Sequence, residues 1–144
     1  MLVSQILKTK AHTGVITVPP TMTVSDAAKM LSEKRIGTLM VSRDGKKPEG
    51  IVSERDIVRE LASRGTNCLS LLVSDLMTTK LVTTQRDDDA VAVLQKMTDG
   101  RFRHMPVVEN GELIGLISLG DVVKARLMEL AMEKTALEGM IMGH

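Results

Sequence analysis

Short apolar runs alternate with amphipathic stretches along the chain, in an order that occurs twice. Val15 to Val18 is a β-branched run stopped by Pro19-Pro20. Thr23, with Asp26 three residues on, reads as a helix start. Val24, Ala27, Ala28 and Leu31 then fall on one face. Thr38 to Ser42 predicts a strand, Asp44-Gly45 a turn, and Gly50 to Val52 a second strand. Ser53 opens another helix with Ile57, Val58 and Leu61 inward and Gly65 as its stop. The second pass gives a strand at Leu81 to Thr84. Asp88 then opens a helix, with Ala90, Val93, Leu94 and Met97 inward, and Gly100 ends it. His104 to Val108 pairs with Leu113 to Ile117 across Asn110-Gly111, the strongest hairpin signal in the chain. Pro106 makes the first of these strands an edge, or irregular. The last helix runs from Leu119 to about Glu138 and is longer than its counterpart.

The letters repeat as well as the pattern. Gly50-Ile51-Val52-Ser53-Glu54-Arg55-Asp56-Ile57-Val58 returns, 65 residues on, as Gly115-Leu116-Ile117-Ser118-Leu119-Gly120-Asp121-Val122-Val123. The lead-ins match too: Val3 to Lys10 faces Val73 to Lys80, and the first copy carries four extra residues, Ala11-His12-Thr13-Gly14. Differences in length fall in turns, as expected of repeated folded units. The sequence divides into residues 1–66 as repeat 1 with its lead-in, a linker at 67–72, repeat 2 at 73–125 and a C-terminal helix extension and tail at 126–144. Each repeat alone is near the size at which a core is marginal, so the two should pack face to face through their sheets. The fold class is α/β (α+β), each repeat a pseudo-symmetric β-α-β-β-α unit.

Composition removes several functions. Net charge is +1, with one Phe and no Trp or Tyr. That balance argues against nucleic acid, and single-strand binding lacks its stacking platforms. Cys68 is alone, so no intrachain disulfide forms, and its linker position suggests no catalytic thiol. His12, His104 and His144 are not in metal-ligand spacing, and Asp87-Asp88-Asp89 reads as an acidic helix start rather than a metal site. The first residues are too short and polar a stretch for a signal peptide, and no run approaches a membrane span, so the expectation is a cytoplasmic protein without a membrane partner.

Ser-x-x-Asp at a strand-to-helix junction has two readings. One is a capping box, in which Ser53 or Ser118 accepts from a backbone N–H and the Asp complements the helix dipole. The other is a ligand site: free N–H groups at a helix start attract phosphate, and an Asp accepts from both hydroxyls of a ribose. A glycine before the strand lets a ligand approach the backbone. A capping box needs neither Gly50 nor Gly115, and their recurrence favours a site.

The pattern Gly-h-h-Ser-x-x-Asp-h, with h an aliphatic residue, preceded by Arg101-Phe102-Arg103-His104-Met105-Pro106-Val107-Val108, resembles the CBS domain, named after cystathionine β-synthase. Two in tandem resemble a CBS pair, or Bateman module. The resemblance covers about Val3 to Val123. It implies clefts between the repeats that bind adenosine-containing ligands such as AMP, ADP, ATP, NAD or S-adenosylmethionine, and no catalytic residue or catalytic cofactor. It places ribose on Asp56 and Asp121, phosphate near Ser53 and Ser118, and adenine against Thr17, Val18, Ile36 and Thr83.

The copies differ. Arg103 and His104 face Gly37 and Thr38 of the first copy, and Arg55 faces Gly120 of the second. Each repeat thus offers phosphate partners the other lacks. Lys10 and Lys80 occupy matching positions. Either could reach a phosphate, with a surface role the plainer reading. In the last helix Val123, Leu127, Leu130 and Ala131 form one apolar stripe, and Met128 and Met132 add a second. A helix apolar on two sides needs a second cover, and a partner chain is the simplest one; the resemblance to CBS pairs, which commonly dimerise, implies a homodimer. The reading is a stand-alone, non-enzymatic sensor of energy or redox state that regulates another protein. Its rivals are a structural homodimerisation module without a small-molecule ligand and an enzyme acting on a nucleotide phosphate.

Overall fold

The computed structural model describes residues 1–10 and 15–142. The Ala11–Gly14 insertion, with His12, and the terminal His144 lie outside them. The elements run α1 (Val3–Thr9), β1 (Thr17–Val18), α2 (Val24–Lys34), β2 (Thr38–Val41), β3 (Gly50–Ser53), α3 (Glu54–Arg64), a 3-10 turn (Gly65–Ser70), α4 (Val73–Leu76), α5 (Ala90–Gly100), β4 (His104–Glu109), β5 (Glu112–Ser118) and α6 (Leu119–Ile141). They form two compact units. One holds α1, Thr83–Val108 and residues from Gly115 onward; the other holds β1 through Val82 together with Glu109–Ile114.

The units do not follow the repeat boundary, because each lead-in folds with the other repeat. Val3 N donates to Asp88 O at 2.9 Å, and Val73 N donates to Met22 O at 2.8 Å. Leu2 bridges to Asp89, and Leu72 bridges to Thr23. These are equivalent contacts, made with the lead-ins exchanged. The short helices α1 and α4 went unread in the sequence, because one turn or two carries too few residues to show a period.

In the unit that holds β1, the sheet has the order β1-β2-β3. β1 is parallel to β2, with Thr17 opposite Met40, and β2 is antiparallel to β3, with Thr38 opposite Ser53. Every residue of β2 is buried, as befits a central strand. Val18, Val24, Ala27, Leu31, Leu39, Val41, Val52, Ile57 and Val73 make the core. Thr23 caps α2, its side chain accepting from Asp26 N. Cys68 is buried in the 3-10 turn as a free thiol. Val58, expected inward on α3, is 63% exposed. It follows Ile57 by 100°, and Ile57 alone takes the buried direction.

The predicted hairpin of β4 and β5 forms, with Asn110 at φ 52 and Gly111 at φ 78, the two positive values a type I′ turn needs. The strand expected at Leu81 to Thr84 does not form; Thr84 alone bridges to Val107, in parallel. Thr84 N donates to Pro106 O at 3.0 Å and Val108 N donates to Thr84 O at 2.9 Å. The next rung needs a donor at position 106, where proline has no N–H. Met40 fills that place in the first repeat, and there the strand exists. The fifth helix is capped by Asp89, not Asp88, which instead accepts from Thr84 Oγ1 and Gln85 N. Gly100 is its last residue and Arg101 takes the left-handed turn at φ 57. A Cβ at Gly100 would lie 2.2 Å from the Phe102 ring, which explains the glycine one place early.

Candidate functional site

Both Ser-x-x-Asp motifs fold as reciprocal caps. Asp56 N donates to Ser53 Oγ at 3.3 Å, and Ser53 N donates back to Asp56 Oδ2 at 2.8 Å. Asp121 N donates to Ser118 Oγ at 3.1 Å, and Ser118 N to Asp121 Oδ2 at 2.9 Å. The first helical N–H is taken too: Glu54 N donates to Gly37 O and Leu119 N to Arg103 O, at equivalent positions. The cap thus accounts for the first and third N–H groups of each helix. The second, from Arg55 or Gly120, is outside its bonds, so the donor set left for an anion is smaller than the sequence suggested.

The duplicated glycines make room for packing. A Cβ at Gly50 would lie 2.5 Å from Met77 Sδ, and one at Gly115 would lie 2.6 Å from Leu7 Cδ2. Leu7 and Met77 are equivalent lead-in residues. The same exchanged contact is built twice, and the missing side chain makes room for it.

The two carboxylates differ in company. Asp56 Oδ2 also accepts from Ser53 Oγ at 3.0 Å, while its Oδ1 pairs with the exposed Arg59. Asp121 Oδ2 pairs with Lys10 Nζ at 2.8 Å, and the same ammonium donates to Leu116 O at 2.6 Å. Asp121 Oδ1 accepts no hydrogen bond among the described residues. Burial opposes the charge on Asp121, but the Lys10 and Ser118 hydrogen bonds outweigh it and hold the carboxyl below the usual carboxylate range. In the first repeat the equivalent of Leu116 O, Ile51 O, accepts from Thr78 N instead. Lys10 thus replaces a backbone rung and reaches the carboxylate as well. It is half-buried, not on the surface, and its exchanged position hid it from a linear reading. Lys80 is exposed and no ion pair joins it to Asp56.

The predicted residues fall into two sets. Thr17, Val18, Ile36, Thr38, Ser53, Arg55, Asp56 and Lys80 lie in one unit; Thr83, Arg103, His104, Ser118 and Asp121 lie in the other. Thr38 and Ser53 are direct strand partners. The Val18 side chain is 1% exposed in the core, while Ile16, just before β1, is 41% exposed and Thr17 is half-buried. Arg55, Thr83 and Arg103 are exposed and His104 is half-buried. Among the described residues no group of three or more His, Cys, Asp or Glu could hold a metal ion, and no helix is long and apolar enough to cross a membrane.

The Asp121 cap carries a pH dependence. Its folded value lies below the unfolded value of about 3.9, so its stabilisation is complete above that pH and is lost as pH falls through the folded value. Denaturant unfolding from pH 7 down to pH 3 should show Asp121→Asn losing less stability on acidification than wild type. Parallel curves would mean that the Lys10 pair adds nothing.

The CBS-domain family matches residues 3–63 and 73–128. The chain belongs to the CBS-domain family. The CBS-domain protein ATU1752 of Agrobacterium tumefaciens is 42% identical, with a TM-score of 0.82 over 87% of this chain and 92% of that one. The CBS-domain protein PAE2072 of Pyrobaculum aerophilum, solved in complex with AMP, is 31% identical, with a TM-score of 0.78 over 92% of this chain and 99% of that one. The mitochondrial CBS-domain protein CBSX3 of Arabidopsis thaliana is 37% identical over 125 residues. The match covers 84% of this chain and 61% of that protein, so the chain spans less than two thirds of this curated relative. The two matched stretches make the chain a CBS-domain pair.

Proposed function

We propose that this CBS pair binds an adenosine-containing ligand, AMP, ADP, ATP or NAD, through its Ser-x-x-Asp motifs and reports energy or redox state to a protein partner, as a non-enzymatic cytoplasmic homodimer. The observation that carries the reading is Asp121. Its carboxylate is half-buried and kept charged, and Oδ1 is uncommitted among the described residues, which suits acceptance from a ribose hydroxyl. AMP in the PAE2072 structure supports the adenosine class. Phosphate would be met by Gly120 N, with Arg103 and His104 near the start of α6, and by Arg55 at the start of α3. Asp56 has both oxygens engaged, but Arg59 is 71% exposed and its pair is weak enough for a ligand to replace. The Asp121 motif should therefore be the tighter site.

A ligand that binds only the folded chain raises its stability by RT ln(1 + [L]/Kd), about 2.7 kcal/mol at a hundredfold excess over Kd. AMP, ATP or NAD should raise the melting temperature, and guanine counterparts should do so less. No shift with any adenosine compound at millimolar concentration sinks the proposal and leaves the structural homodimer, for which the caps alone suffice.

A further inference from the structure

We propose that the last five turns of α6 form an antiparallel two-stranded coiled coil with α6 of a second copy of this chain. This deepens the homodimer reading above, and rests on it, by naming the seam. Only Val122 and Ala125 of the 23-residue α6 are buried. Beyond them Val123, Leu127, Leu130, Leu137 and Ile141 are 40%, 62%, 45%, 58% and 83% exposed. Their spacing, with Lys134, alternates four and three residues. That is the heptad spacing of a coiled-coil seam, with Met128, Met132 and Met140, 45%, 59% and 76% exposed, lying outside it. Leu127, Lys134 and Ile141 take its first core position, and Val123, Leu130 and Leu137 its second. A helix end of this length without tertiary packing is marginal in water, so the seam needs a cover.

Charge selects the occupant and its direction. Between Lys124 and Met142 the helix has three basic residues, Lys124, Arg126 and Lys134, and three acidic, Glu129, Glu133 and Glu138. That balance does not suit an anionic lipid surface, which draws a basic rim. A parallel pairing would stack Lys134 on Lys134 of the second copy in the seam and set Glu133 beside Glu138 of the second copy. An antiparallel pairing sets Leu127 against Leu137, Lys134 against Leu130 and Ile141 against Val123. Lys124 then flanks Glu138 of the second copy, twice by symmetry. Glu133 meets its own copy at the dyad, where Arg126, 3.8 Å from Glu133, offsets the repulsion.

Sedimentation equilibrium of the full chain tests this. Wild type should be a dimer, and Leu130→Glu/Leu137→Glu should weaken it at least a hundredfold without lowering the monomer's melting temperature, since both side chains are exposed. Lys134→Leu should tighten it about tenfold. Lys124→Glu should weaken it several-fold, and Lys124→Glu/Glu138→Lys should restore it. A wild-type monomer overturns both the seam and the homodimer reading. A dimer untouched by Leu130→Glu/Leu137→Glu overturns the seam alone. Failure of the charge exchange to restore pairing overturns the antiparallel direction, and binding to anionic vesicles that this leucine variant abolishes gives the face to lipid instead.

Discussion

Asp121→Ala is expected to lower adenosine-ligand affinity at its motif about ten- to a hundredfold, and Asp56→Ala to lower it less. A hydrogen bond to a charged group contributes about 1.5–3 kcal/mol, which converts to that range. Asp121 offers a ribose hydroxyl an uncommitted oxygen, whereas Asp56 must first give up Arg59. Both changes also remove half of a reciprocal cap, at about 1 kcal/mol of stability each. Calorimetric titration beside a melting curve separates the two effects. If the Asp residues serve only as caps, both variants melt lower and bind as wild type does. A loss that is larger for Asp56→Ala would reverse the assignment of the tighter site.

Gly115→Val is expected to destabilise the fold by about 1–3 kcal/mol, the usual cost of overpacking. The nearest obstacle is Leu7 Cδ2, 2.6 Å from the position of a Cβ. Leu7→Ala is itself destabilising, since Leu7 fills that space. The double variant Leu7→Ala/Gly115→Val should therefore be more stable than the sum of the single effects implies, with a coupling of about 0.5–3 kcal/mol. Met77→Ala/Gly50→Val should couple in the same sense, since a Cβ at Gly50 meets Met77 Sδ at 2.5 Å. Denaturant midpoints for the four corners of each cycle give the coupling. Strict additivity would refute the exchanged packing. Normal stability with lost ligand affinity would return both glycines to the ligand-approach role.

The repeat, the order of elements within it, the Asn110-Gly111 hairpin and the Thr23, Ser53 and Ser118 caps were all legible in the chain. They depend on neighbours within a few residues, where side-chain periodicity and turn chemistry act directly. The edge position of β4 at Pro106 was legible as well, because a missing N–H is a property of the residue itself. Its full consequence was not: the lost rung falls on Val82, some two dozen residues away. The two motifs could be found from the sequence, and both fold as the caps their spacing allows. What each Asp touches could not be found. Lys10 reaches Asp121 because the first lead-in folds with the second repeat, and Leu7 meets Gly115 for the same reason. A linear alignment pairs Lys10 with its own repeat and has no term for exchange, since exchanged and unexchanged packings bury the same side chains. The tertiary structure alone chose between them, and in doing so it made two near-identical motifs electrostatically different.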